Sequence, residues 1–352
     1  MLLVTGGAGF IGVNFVRQWC REEVDRVVVL DSLTYAGRRD ALDGLIDDQR
    51  LQFVHGDIAD TPLVAAILSE FRPSAIVHFA AESHVDRSIA GPRQFLDTNI
   101  FGTYNLLECV RSHFANISPQ QRSTFKFLHV STDEVYGSLL RGSPAFTEAH
   151  AYAPNSPYAA SKAASDHLVR AWSRTYNVPS LITHCSNNYG PYQNGEKFIP
   201  HVISCALLGA AIPIYGDGSN IRDWIHVEDH CRGIRSVLKR GLVGEVYNLG
   251  GEAETDNLTL ARLICEILDE QVPDQRGPYS RLMRFVTDRK GHDWRYAVNL
   301  TKARSELDWR PTETLRSGLH KTVAWYLQHT DYLASEPDVA SLRPTPSNKV
   351  AA

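Results

Sequence analysis

Thr5-Gly6-Gly7-Ala8-Gly9-Phe10-Ile11-Gly12 follows the short apolar run Leu2–Thr5 and leads into a helix-like segment that continues through residue 19. Gly6, Gly9 and Gly12 therefore form G-x-x-G-x-x-G between a strand and a helix. At that spacing glycines let the turn tighten, let the backbone approach a pyrophosphate, and let helix and strand pack closely. A plain loop is the alternative, and the next strand argues against it. Residues 26 to 30 run apolar into Asp31, about 20 residues beyond the last glycine, where an acid holds the adenosine ribose hydroxyls and repels a 2′-phosphate. That favours NAD over NADP, with Arg38 and Arg39 read as surface charges.

The alternation continues outward from there. Strands are expected at residues 51 to 55, 75 to 79 and 125 to 130, with helices at 61 to 71 and 92 to 112 between them. A repeating β-α order with buried strands implies an α/β chain built on a Rossmann-type doubly wound parallel sheet. Asp57 and Ile58 fall where an adenine could be contacted, although Asp57 could equally cap the following helix. Ala80 and Ala81 leave room for a cofactor at the end of a strand. From about residue 187 the pattern shifts to short strands, loops and helices. We expect a cofactor domain at 1 to 186, with later segments returning to it, a smaller α/β carboxy-terminal substrate lobe at 187 to 330, and a poorly ordered tail at 331 to 352.

Composition narrows the class. A chain of 352 residues can bury a large core, and a net charge of -4 supplies no basic face for nucleic acid or a membrane surface. No apolar run is long enough to span a membrane, and Met1 opens directly into a strand, so a cytoplasmic protein is expected. The six cysteines show no C-x-x-C pairing and read as reduced core thiols.

Chemistry concentrates in Ser131-Thr132-Asp133-Glu134-Val135-Tyr136-Gly137. Two adjacent carboxylates follow a buried strand, where an α/β sheet holds its ligands. In a partly desolvated crevice both cannot easily ionise, so one keeps its proton while the other stays a base. A turn cap is the alternative reading of the pair. Further on, Tyr158 and Lys162 lie four apart on one helical face, so the ammonium can help the phenol ionise and take a proton from a sugar hydroxyl. His226 and His230 are also four apart, but without H-E-x-x-H or a third ligand they read as a helix start, and no metal is expected.

Together these motifs resemble the extended short-chain dehydrogenase/reductase family, and closely the dTDP-glucose 4,6-dehydratases. The likeness runs to about residue 330 and rests on residues 5 to 12, 31 to 37, 80 to 89, 131 to 137, 158 to 162, 185 to 192, 222 to 224 and 288 to 293. Sister epimerases and decarboxylases share the glycines and the Tyr-Lys pair but lack Thr-Asp-Glu. The resemblance implies that Tyr158 removes the 4-hydroxyl proton as hydride leaves C4 for NAD, and that Glu134 then abstracts the C5 proton. Asp133 would protonate the departing 6-hydroxyl, hydride would return to C6, and Thr132 would bond the 4-oxygen. It also implies cofactor contacts at Phe10, Ile11, Ser32, Leu33, Thr34, Thr98 and Asn188, with Lys162 on the nicotinamide ribose. Substrate contacts would come from Ser83, Asn187, Lys197, Phe198, Pro213, Tyr215, Asn257 and His292, and from Arg222 and Arg289 as diphosphate clamps. A homodimer through a four-helix bundle is a further implication, from helices near 92 to 112 and 158 to 176. Departures include Asn194-Gly195 for an aromatic-proline pair and His184 for arginine or asparagine. A dehydratase or epimerase of another nucleotide sugar such as UDP-glucose, and a non-catalytic NAD-binding regulator, remain open at this point.

Overall fold

The computed structural model describes residues 1–288 and 292–333. Twelve strands are present among them. They are β1 Leu2–Thr5, β2 Val27–Asp31, β3 Leu51–His55, β4 Ala75–His78, β5 Lys126–Thr132, β6 Ser180–Cys185 and β7 Asn187–Tyr189, then β8 Ile212–Tyr215, β9 Ile221–His226, β10 Val246–Leu249, β11 Glu254–Asp256 and β12 Met283–Val286. Seven of these form one sheet in the order β10-β6-β5-β4-β1-β2-β3, every pairing parallel.

The inner strands β1 and β2 are buried on both faces, which is why they read as apolar runs, while the edge strand β3 is partly exposed. Val27 and Val29 enter one core cluster while Val28 and Leu30 enter another, as successive side chains point to opposite faces. Strand order reverses between β1 and β4, opening a crevice at their carboxyl ends, the general location for ligands in such sheets. The second lobe has its own core, where Ile203, Ile214, Leu260, Ile264, Leu319 and Val323 meet. The closing helix, Leu315–Gln328, belongs to that core and starts on a Thr314–Ser317 capping box.

Two details differ from the sequence reading. The helix expected at 92 to 112 runs on to Asn116 and contains a wide π-helical stretch, Leu96–Gly102. Gly102 sits where a β-carbon would come within 2.8 Å of Ile58 Cδ1, so the wide turn lies against the cofactor-side strand ends. A short helix, Pro119–Thr124, was not expected, although Ser118 and Gln121 form a capping box that signals it. All six cysteines are buried and unpaired. His226 and His230 do open a helix, Val227–Arg240, with Glu228 and Asp229 in its first turn. The tail expected at 331 to 352 lies, beyond residue 333, outside the described residues.

Candidate active site

A cleft of about 510 Å³ lies over the carboxyl ends of β1, β2, β4, β5 and β6. Its floor is the glycine turn. Gly6 has φ +70, and a β-carbon there would stand 2.5 Å from the amide nitrogen of Ala80. At Gly12 a β-carbon would lie 2.2 Å from the carbonyl oxygen of Gly6. Only hydrogen at both positions lets the backbone descend this far into the crevice. Gly9 precedes helix Phe10–Glu22, whose first amides have no side-chain cap, an arrangement suited to a pyrophosphate. Asp31 is buried at the end of β2, its Oδ2 accepting from the Ala8 amide at 2.9 Å and its Oδ1 from the Leu33 amide at 2.8 Å. Burial raises its carboxyl and these two amides oppose the rise, leaving lone pairs for ribose hydroxyls. Phe10, Ile11, Ser32, Thr34, Asp57, Ile58, Ala80, Ala81 and Thr98 complete this wall. Leu33 does not line it. It holds φ 51 in the loop that follows β2.

At the other end, Thr132 closes β5, and a single 3-10 turn, Asp133–Tyr136, follows. Thr132 Oγ1 accepts from the Glu134 amide at 3.3 Å, which holds the turn tight. Asp133 is 2% exposed, and its Oδ2 has no hydrogen bond within the chain. Burial, then the neighbouring Glu134 and Asp223, push its carboxyl well above the usual range, with Arg222 opposing. Both causes favour the protonated form of Asp133.

Tyr158 and Lys162 lie in helix Pro157–Tyr176, which Ser156 caps by accepting from the Ala159 amide at 3.1 Å. The Tyr158 amide donates to Ser88 Oγ at 3.2 Å, fixing the helix start beside the cleft. Lys162, expected to help the phenol ionise, has a backbone partner of its own. Lys162 Nζ donates to the carbonyl of Val130 at 2.9 Å. Burial pushes that ammonium down to about 8, and it pushes the Tyr158 phenol up, with Glu134 adding to the rise. Thr132, at the end of β5, is the neighbour that opposes the rise. Spacing alone could not show this, because Thr132 arrives from the strand rather than from the helix.

Ser83, Asn187, Asn188 and Lys197 also line the cleft. Asn188 is oriented by His230 Nδ1 at 2.8 Å from its Oδ1, while its Nδ2 donates to the Ser186 carbonyl at 3.0 Å. Lys197 reaches the Ser83 carbonyl at 3.2 Å and is pushed down by burial. Phe198, Pro213, Tyr215, Arg222, Asn257 and His292 lie off this cleft, in the second lobe. Two of them belong to or meet one segment, residues 292 to 296. Arg222 donates to the carbonyls of Ile221 at 2.7 Å and Asp293 at 3.0 Å beneath the Tyr296 ring, and His292 Nδ1 meets Asp288 at 2.7 Å. Arg289 lies outside the described residues. Sequence reasoning missed Tyr35, Glu82 and Gln94, which also line the cleft, as does Glu196, which the resemblance matches to a substrate-binding position. Glu82 was within reach, since it lies inside the quoted 80 to 89 stretch.

A glycine-floored dinucleotide crevice meeting a Thr-Asp-Glu turn and a buried Tyr-Lys helix defines a class, the Rossmann-fold enzymes that modify nucleotide sugars. Comparison with known proteins narrows it. The family model for GDP-mannose 4,6 dehydratase matches residues 3–322. Among curated proteins, dTDP-glucose 4,6-dehydratase 1 of Escherichia coli (strain K12) is 51% identical over 340 residues, 94% of each chain. The dTDP-glucose 4,6-dehydratase of Xanthomonas campestris pv. campestris (strain B100) is 52% identical over 332 residues, again 94% of each. The solved double mutant of a dTDP-glucose 4,6-dehydratase from Streptomyces venezuelae, with NAD bound, superposes with a TM-score of 0.86 at 47% identity, covering 95% of this chain and 98% of that one. A UDP-glucose 4-epimerase from Thermotoga maritima reaches 0.82 at 28% identity, covering 94% and 99%. The chain belongs to the nucleotide-sugar 4,6-dehydratase family, within its dTDP-glucose 4,6-dehydratase branch.

Proposed function

We propose that this protein is an NAD-dependent hydro-lyase that converts dTDP-glucose to dTDP-4-keto-6-deoxyglucose and water. The observation that carries the reading is Asp133, a carboxyl held protonated by burial, with an unpartnered oxygen, next to Glu134 and in the same cleft as Tyr158. An epimerase has no use for that acid. NAD bound over the glycine floor would accept hydride from C4 and return it to C6.

The chain's own residues do the rest. Tyr158 takes the 4-hydroxyl proton, with Thr132 bonding the phenol oxygen and the sugar's 4-oxygen in turn. Once C4 is a ketone, the C5 proton is acidic and Glu134 removes it. Asp133 delivers its proton to the 6-hydroxyl, which leaves as water. Lys162, whose Nζ donates to the Val130 carbonyl, would bond the nicotinamide ribose. Asp31 holds the adenosine ribose, and the Gly6 to Gly12 turn holds the pyrophosphate.

Residues 1 to 186 then carry the cofactor and residues 187 to 330 mainly the nucleotide sugar. Asn187 and Lys197 meet the sugar diphosphate from the cleft side. Phe198, Pro213, Tyr215, Arg222, Asn257 and His292, with Arg289, serve the nucleotide from the lobe. A homodimer is proposed on the exposure of Phe101 (59%), Tyr104 (45%) and Tyr176 (45%), large apolar groups on two neighbouring helices. No helix among the described residues is long and apolar enough to cross a membrane, and a cytoplasmic location fits the nucleotide substrate.

Mass spectrometry of dTDP-glucose incubated with the protein, with UDP-glucose in a parallel tube and no added reductant, tests the reading. Loss of one water from the dTDP sugar with NAD unchanged overall is expected. Loss of water only from the UDP sugar would move the base assignment.

A further inference from the structure

Behind Lys162 lies a closed set of polar side chains that none of these steps uses. Asp166 stands one turn beyond Lys162 on the same helix and is fully buried. His184, on β6, brings Nε2 to 2.9 Å from Asp166 Oδ2, and His129, on β5, stands 3.2 Å from Oδ1. The other nitrogen of His184, Nδ1, lies 2.7 Å from Tyr136 Oη. Tyr136 ends the catalytic turn, and its Oη lies 3.0 Å from Asn248 Oδ1.

Donor and acceptor accounting favours one arrangement of the protons. Asn248 Nδ2 donates to the Phe146 carbonyl at 3.0 Å, so the atom facing Tyr136 is an amide oxygen, which only accepts. Tyr136 has one proton and gives it to Asn248. His184 Nδ1 must therefore be protonated to bond Tyr136 Oη. On the other side, burial raises the Asp166 carboxyl, but hydrogen bonds and charge from the two histidines outweigh it and hold the group ionised. A carboxylate only accepts, so His184 Nε2 is protonated too. Tyr152 Oη, 3.1 Å from Nε2, cannot be its donor without setting a bare nitrogen lone pair against that carboxylate. His129 is neutral, pushed down to about 4 by burial.

We infer that His184 is a buried imidazolium whose ion pair with Asp166 and hydrogen bond to Tyr136 fix the Asp133–Tyr136 turn against the helix bearing Tyr158 and Lys162. It is a positioning residue. The two halves of the chemistry stand on different elements, and His184 is the side chain bonded to both. Shifting the turn displaces Asp133 and Glu134 from C5 and C6 while leaving Tyr158 on its helix, so elimination suffers more than the first oxidation. The inference rests on the dehydratase reading for its kinetic part only.

Two experiments test it. In holoenzyme labelled with ¹⁵N-histidine, one buried imidazole should show both ring nitrogens protonated at neutral pH, assigned by its shift in Tyr136→Phe. A single protonated nitrogen on that ring would overturn the inference, whatever the reaction proves to be. In rapid mixing with saturating dTDP-glucose, Tyr136→Phe and His184→Leu should slow dehydration on the order of 100-fold, the cost of a small misplacement. Reduced nicotinamide should accumulate, KM should stay near that of the parent, and the double variant should be no slower than His184→Leu. Slow turnover without that accumulation would mean a merely structural role. If the parent protein releases no water, the dehydratase reading fails while the nitrogen measurement still decides the clamp.

Discussion

A β-carbon on Gly6 would stand 2.5 Å from the amide nitrogen of Ala80, which ties the end of β1 to the end of β4 at the point where strand order reverses. The crevice exists because these two backbones nearly touch. Gly6→Ala would also have to hold φ +70, at about 1–2 kcal/mol for an L-residue in that region. We expect the purified variant to carry no NAD and to bind it on the order of 100-fold more weakly by calorimetry, since a clash and strain of a few kcal/mol fall on the floor itself. Retention of cofactor at parental affinity would contradict the placement of the pyrophosphate there.

Asp133 gives a pH signature. Burial favours its protonated form in the fold, whereas the unfolded chain ionises it near the ordinary value of about 3.9. The folded state thus binds more protons above that value, so this group's contribution falls as pH rises toward its raised folded value. Asp133→Asn removes the slope. Its melting temperature should match the parent near about pH 4 and exceed it by a few degrees at neutral pH, while dehydration falls roughly 100-fold or more. A parental stability advantage that grows with pH would show that the group is ionised in the fold.

Glu134→Gln keeps the size and removes the base. The first oxidation should proceed and elimination should stop, so one turnover leaves reduced nicotinamide absorbance standing and no water lost by mass spectrometry. Normal turnover would remove Glu134 from its role.

Phe101→Glu places a charge on the helix face where Phe101, Tyr104 and Leu96 stand exposed beside Tyr176. Light scattering should report a dimer for the parent and a monomer for the variant. A parent that runs as a monomer would mean this face is covered by something else.

The parallel sheet and its crevice were legible because buried strands write themselves as apolar runs and the glycine turn has fixed spacing. Asp133 and Glu134 were legible for the same reason, sitting directly after such a run. The π-helical stretch was not, since Leu96–Gly102 contains nothing that forbids an ordinary helix. Nor was the place of Thr132 beside the phenol, because Thr132 and Tyr158 are brought together only by tertiary packing. The His184 clamp joins residues 129, 136, 166, 184 and 248. No local pattern connects them, and the one visible sign was a histidine where arginine or asparagine was expected. Leu33 was carried over from the motif, and its backbone holds φ 51 beside the cleft lining rather than in it.

One measurement tests the core of the account, that a single cofactor held in this cleft takes hydride from C4 and returns it to C6. dTDP-glucose carrying deuterium at C4 should be incubated with the protein in ordinary water and the product examined by NMR. The account predicts deuterium at C6 of the 4-keto-6-deoxy sugar and solvent hydrogen at C5. Deuterium that remains at C4, or is lost to water, would contradict it.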